Sequence, residues 1–274
     1  MILCAILLSG SGCNVFEFSP YETDIEGSYK KLNETNIARL LTVETASSDS
    51  FTFAFLTDSH ADYDDFLDAV TLINGRNDIL FVLHGGDITD FGLQEEYKLA
   101  AEIITRSQKP FITAIGNHDC LSNGRQTFRT MFGDSFFSFE FPAFGKENSY
   151  KFVFLNDNTL EHDMNDNDNL KIAAWVEEAI SSSHSHEAVF VVAHVPPDNT
   201  HYFNNETEEY YRTMLSENNV LMSLNGHEHK YYFGEYYDDG VLYLSGEDIG
   251  DRQFVTITVH NGEHASVTVN RVYY

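Results

Sequence analysis

Three apolar runs in the first half of the chain each stop at residues that bind protons or metals. Phe51 to Thr57 stops at Asp58, Asp78 to Leu83 at His84-Gly85-Gly86-Asp87, and Phe111 to Ile115 at Gly116-Asn117-His118-Asp119. Between them, Asp62 to Asn74 carries Phe66, Ala69, Val70 and Ile73 at helical spacing, and Gln94 to Arg106 also reads as a helix. Short strands separated by helices are expected to run parallel, with their carboxyl ends on one edge. Open sheets of that kind collect their sites at that edge. The chain therefore reads as α/β.

The second half continues the pattern. Tyr150 to Leu155 reads as a strand and Leu170 to Ser181 as a helix with Ile172, Trp175, Val176 and Ala179 inward. Ala188 to Ala193 is a strand run ending at His194. Glu206 to Glu217 is helical, and Val220 to Leu224 is a strand run leading to Gly226-His227-Glu228-His229. Val255, Ile257 and Val259, then Asn261-Gly262, then Val267 and Val269 predict a terminal hairpin.

Five clusters thus stand at strand ends: Asp58-Ser59-His60, Asp87, Asn117-His118-Asp119, His194 and His227-Glu228-His229. Residues i and i+2 of an extended segment share a side, so Asp58 with His60, and His227 with His229, can aim at common points. Each cluster alone is weak, since a lone His at a strand end is usually a satisfied structural residue. Gathered in one frame, so many polar groups would be costly to bury without a cation. Carboxylate and imidazole suit transition metals better than calcium or magnesium.

These residues resemble the calcineurin-like metallophosphoesterases, whose pattern is D-x-H, G-D, G-N-H-D/E, H and G-H-x-H. Here the same order reads DSH, GGD, GNHD, AHVPP and GHEH, from Phe51 to about Gly250. The resemblance implies a four-layer sandwich of two mixed β-sheets flanked by helices, with a dinuclear metal site at the carboxyl edge of the strands. It implies that Asp58, His60, Asp87 and His229 hold one metal, and Asp87, Asn117, His194 and His227 the other, with Asp87 as the bridge. Iron, manganese and zinc all fit such ligands.

The implied chemistry is attack of metal-activated water on a small phosphate ester, with His118 protonating the leaving alkoxide. Asp90 has two readings: a turn or N-cap carboxylate before Gln94, or, by resemblance, the group that orients His118. Where purple acid phosphatases carry a Tyr ligand, this chain has Asp90. Asp119 is expected to orient neighbours, His84 to pack or make a local hydrogen bond, and Arg125 or Arg129 to reach a substrate phosphate. A nuclease could use the same core, and a metal-binding protein without turnover is a third reading.

Charge separates these. Sixteen basic residues against forty-three acidic ones give a formal net charge of -27, which repels duplex nucleic acid. Retention of His118 beside a full ligand set argues for turnover.

Residues 1–12 read as a leader: Ile2 to Leu8 is apolar but too short to span a bilayer, which takes about 20 residues. Gly12 before Cys13 resembles a bacterial lipoprotein signal, though no Lys or Arg precedes the run and Gly10 stands where an aliphatic residue is usual. The expectation is an exported protein lipid-anchored through Cys13 at the cell envelope. Residues 13–50 read as a polar tether or N-terminal extension, parts of which can pack, and residues 51–274 as the phosphoesterase domain.

Overall fold

The computed structural model describes residue 25 and residues 27–43, 49–143, 149–159, 177–180 and 186–274. The leader and Cys13 lie outside the described residues. So does most of the helix expected from Leu170, of which 177–180 are helical.

The chain enters through α1 (Leu32–Leu40). Then β1 (Ser50–Leu56), α2 (Tyr63–Asn74), β2 (Ile79–His84), α3 (Gln94–Thr105) and β3 (Phe111–Thr113) form the expected βαβαβ unit. Local chemistry starts these helices. Asp64 and Asp65 favour the first turn of α2, and the Glu96 carboxylate accepts the Phe91 and Leu93 amides at the start of α3. α4 (Gly124–Met131), β4 (Phe137–Phe141), β5 (Tyr150–Phe154) and β6 (Ala188–Val192) follow. α5 (Asn205–Ser216) is capped by the Asn204 side chain, which accepts the Thr207 amide. The remainder is β7 (Val220–Asn225), β8 (Tyr232–Gly234), β9 (Leu242–Ser245), β10 (Gln253–His260) and β11 (Ser266–Tyr273).

Two mixed sheets result, in the orders β11-β10-β1-β2-β3 and β4-β5-β6-β7-β9-β8. β1, β2 and β3 are parallel in the first, and β5, β6, β7 and β9 in the second. Strand parity then builds the layers. Phe51, Phe53 and Phe55 point between the sheets onto Phe81, Phe141, Phe152 and Phe190, while Ala54 and Leu56 face α2 and α3. The inter-sheet core is aromatic: Phe53 stacks on Phe81 with centroids 5.1 Å apart and meets Phe152 edge-on at 5.7 Å. Val189, Val191 and Tyr243, on the outer face of the second sheet, pack with Tyr211 and Leu215 of α5.

Within residues 13–50, α1 packs through Leu32 and Leu40, both buried. Two details differ from the expectation. The terminal hairpin closes at His260 opposite Ser266, so its loop is 261–265 rather than the two residues Asn261-Gly262. Strands β4, β8 and β9 go beyond the sequence pattern; β8 and β9 are short and split by a Tyr-, Asp- and Gly-rich loop.

Candidate metal centre

The parallel strands of both sheets end at a common edge, and the candidate ligands emerge there. Asp58, His60 and His229 form one group whose ligand atoms all lie within 4.8 Å of one another; Asp87, His194 and His227 form a second. Asn117 belongs with the second: its Oδ1 is 2.9 Å from His227 Nδ1 and 3.0 Å from His194 Nε2. His194 Nε2 is 3.0 Å from Asp87 Oδ2 and 4.0 Å from Asp58 Oδ1, so the two groups are contiguous. His229 Nε2 lies 3.3 Å from Asp58 Oδ1.

The backbone is bent to make this possible. Asp58, Asp87, His227 and His229 all hold positive φ, between 50° and 70°, a region L residues rarely occupy without reason. Gly116 and Gly226 permit the close approach: a Cβ at Gly116 would lie 2.1 Å from Asp87 Oδ1, and one at Gly226 2.5 Å from Asp58 Oδ2.

The carboxylates are held by main chain. Asp58 Oδ2 accepts the Thr57 hydroxyl at 2.6 Å and the His227 amide at 3.1 Å. Asp87 Oδ1 accepts the His118 amide at 2.9 Å. Asp119 is buried and accepts from the amides of Ile88, Thr89 and Gly116 and from the Thr89 hydroxyl, tying the Asp87 loop to the Asn117 loop. His84 is likewise buried, 3.0 Å from the Ser59 hydroxyl and packed on Phe66 and Phe111.

Electrostatics reflects the concentrated negative charge. Burial opposes a charge on His194, yet Asp87, Asp58 and Asp157 outweigh it and raise the imidazole to about 10. Burial also opposes charge on Asp58, but the His229 hydrogen bond and the His194 and His229 charges hold its carboxyl well below the usual range. Burial and then the His194 charge push His227 down to about 4. The buried carboxylates thus favour positive charge at His194. His60 Nε2, moreover, is buried without a hydrogen-bond partner. Converging N and O donors, an orphaned imidazole nitrogen and concentrated negative charge fit metal ions.

His118 stands beside this cluster on a 3-10 turn (His118–Cys120), its ring parallel to His60 with centroids 5.0 Å apart. Its Nδ1 is 2.7 Å from the main-chain carbonyl of Asp90, which fixes the proton on that nitrogen and leaves Nε2 facing out. The Asp90 carboxylate sits 3.7 Å from both His118 Nδ1 and His60 Nδ1. The contact that orients His118 is therefore Asp90's backbone, with the carboxylate set between two imidazoles. Arg129 is turned to the surface, 3.3 Å from Asp134, and does not face the cluster.

Two carboxylates escaped the sequence reading. Asp248, after β9, places Oδ2 3.5 Å from His229 Nδ1 and 3.9 Å from His60 Nε2. Asp157, after β5, is fully buried behind His194, accepts the Val195 amide at 2.7 Å and is pushed up to about 7 by burial, against the pull of His194. The signal that exposed the other clusters, a polar residue at the carboxyl end of a parallel strand, would have found Asp157, since β5 was legible in the sequence.

Two facing mixed sheets with paired carboxylate–imidazole clusters at their common edge define an α/β protein with a candidate dinuclear metal centre. The sequence profile of the calcineurin-like phosphoesterases matches residues 51–231, and the chain belongs to that family. The family implies two divalent metal ions and hydrolysis of phosphate esters in general. No curated protein matches the chain in sequence. Among solved structures, GAP50, the anchor in the inner membrane complex of Plasmodium, superposes with a TM-score of 0.66 at 14% identity, covering 82% of this chain and 85% of that one. PhoD superposes with a TM-score of 0.56 at 9% identity, covering 85% and 73%. At such identities the likeness is one of fold.

Proposed function

We propose that the protein hydrolyses small phosphate esters, monoesters or compact and cyclic diesters, with His118 as general acid. One observation carries this reading: His118 presents a free Nε2 beside two contiguous ligand clusters, its other nitrogen anchored on the Asp90 carbonyl. The fold alone would not carry it, since an anchor protein shares it.

Asp58, His60 and His229, joined by Asp87, would hold one metal; Asp87, Asn117, His194 and His227 would hold the other. Two cations there would supply Lewis acidity and a water nucleophile at neutral pH. The chain's own part is positional. Asp119 holds the Asp87 and Asn117 loops in register, and the parallel His60 ring restricts His118 to one orientation. In its imidazolium form His118 gives the Nε2 proton to the leaving oxygen and keeps the Nδ1 proton on the Asp90 carbonyl. Hydrolysis of a panel of mono-, di- and cyclic phosphate esters by metal-reconstituted protein tests the proposal; no turnover on any of them with iron, manganese or zinc would overturn it.

We further propose that the enzyme works at a bacterial cell envelope, anchored by lipid on Cys13. A lipidated cysteine with two or more acyl chains anchors stably without a spanning helix. Mass spectrometry should find a mature N-terminus at a lipid-bearing Cys13, and Cys13→Ala should leave the protein out of the membrane fraction.

A further inference from the structure

A cavity of about 400 Å³ opens beside the metal centre, within the range of small-molecule sites. Its walls come from the two segments that carry the second sheet's ligands. Pro196 to His201 follow His194, and Glu228 and Lys230 alternate with His227 and His229. The two walls are tied together where Asn199 Nδ2 donates to Glu228 Oε1 at 2.5 Å, and Tyr202 meets His227 edge-on at 4.7 Å. The cavity's Glu228 and Lys230 are thus direct chain neighbours of the ligand candidates His227 and His229.

The lining is chemically specific. Tyr232, Tyr236, Tyr237 and Tyr243 supply ring faces, with Tyr232 and Tyr236 perpendicular to each other at 5.6 Å and both partly exposed. Each ring braces the next, Tyr236 on Tyr237 at 4.8 Å and Tyr237 on Tyr243 at 5.3 Å. Asp198 accepts a hydrogen bond from Tyr236, which fixes that ring. Meeting edge to face, these rings keep the outer faces of Tyr232 and Tyr236 open, and such faces suit a flat ring more than an alkyl chain.

Charge narrows the ring's identity. Asp198 and Glu228 are two carboxylates on the lining against a single cation, Lys230, which forms no ion pair among the described residues. Two carboxylates repel a leaving group that carries further phosphates, and their unused lone pairs accept amino hydrogens. Lys230, next in chain to His229, is placed to meet the one anionic end.

Resting on the phosphoesterase reading, we infer that this cavity seats the leaving group of the substrate, and that the leaving group is a nucleoside whose base carries an exocyclic amine. The phosphate lies at the metals, the base on the exposed face of Tyr232 with Tyr236 at its edge, and its amine toward Asp198 and Glu228.

Adenosine monophosphate and glycerol phosphate, compared on the metal-reconstituted full chain, test this. The nucleotide should be preferred in kcat/KM, chiefly through KM. Tyr232→Ala and Tyr236→Ala should each cut that preference about tenfold. Both rings are partly exposed, so the fold should survive the change, and thermal melting checks that it does. Adenosine, which carries no phosphate, reads the cavity without turnover. It should bind wild type more tightly than inosine, where a carbonyl replaces the amine, and more weakly to either variant. Adenosine binding without hydrolysis of any ester would support the cavity assignment while removing the phosphoesterase reading. Hydrolysis of glycerol phosphate with no adenosine binding, or no nucleotide preference, would overturn the cavity assignment and leave the phosphoesterase reading in place.

Discussion

His118 and Asp248 show how single side chains divide the labour at the centre. His118 lies outside both ligand groups, so His118→Ala should keep metal content while turnover falls roughly 10²–10⁴-fold, the usual worth of a general acid. Steady-state kinetics decides the role: the loss should shrink for p-nitrophenyl phosphate, whose leaving group needs no proton, and an equal loss on every ester would exclude proton donation. Asp248 acts differently, because its Oδ2 faces the Nδ1 of His229, whose Nε2 points at Asp58. An acceptor there sets the tautomer and raises the basicity of a ligating imidazole. Asp248→Ala should weaken metal binding about 10–100-fold in chelator-competition titrations, and Asp248→Asn, which keeps an acceptor, should restore part of it. Wild-type affinity in both variants would reduce Asp248 to a bystander.

At the scale of elements, α1 guards an edge. β3 pairs on one side only, with β2, and the open side of its Thr113 is met by Asn33, whose amide donates to the Thr113 carbonyl at 2.9 Å while its oxygen accepts the Thr113 amide at 2.9 Å. The side chain imitates a neighbouring strand. Asn33→Ala should therefore cost about 1–3 kcal/mol in urea unfolding, since two buried main-chain groups lose their partner at once; a change within a few tenths would mean water replaces it. This contact also marks the limit of reading the chain alone. The βαβαβ unit and the strand-end clusters were legible because apolar period and ligand type are local properties, visible in stretches such as Phe51 to His60. Asn33 looked like one polar residue in a polar segment, because its partner is eighty positions away. Asp248 was hidden for a related reason: β9 spans only Leu242–Ser245, too short for its period to announce a strand, so the residue ending it drew no notice. His118's anchor was legible in place but not in kind, since spacing locates Asp90 without telling its carbonyl from its carboxylate.

For the whole molecule, the centre is a clamp between the two sheets. Asp58, His60, Asp87 and Asn117 come from the first sheet, and His194, His227 and His229 from the second, so a bound metal would join layers otherwise held by packing and a few hydrogen bonds, such as the His227 amide to Asp58. Without metal, a proton on His194 does part of that work. With its folded value raised to about 10 from an ordinary 6.5, that proton contributes stability fully below pH 6.5 and loses it as pH rises through 10. Asp119 and Asp157, both pushed up to about 7 chiefly by burial, act in the same direction at lower pH, because the folded state prefers them protonated and stability declines as pH rises from 3.8 through 7. Below pH 6.5 the depressed His227 and His84, which the folded state prefers neutral, oppose the two aspartates, so the metal-free protein should melt at progressively lower temperature from about pH 6.5 to pH 10. Metal ligands must be unprotonated, so a cation displaces the His194 proton and binds more tightly as that proton becomes easier to remove. The gap in melting temperature between reconstituted and chelator-treated protein should therefore widen with pH across 6, 7.5 and 9 in scanning calorimetry at fixed free metal. A gap that stayed constant over that range would mean that no proton competes with the metal, and that His194 is not among its ligands.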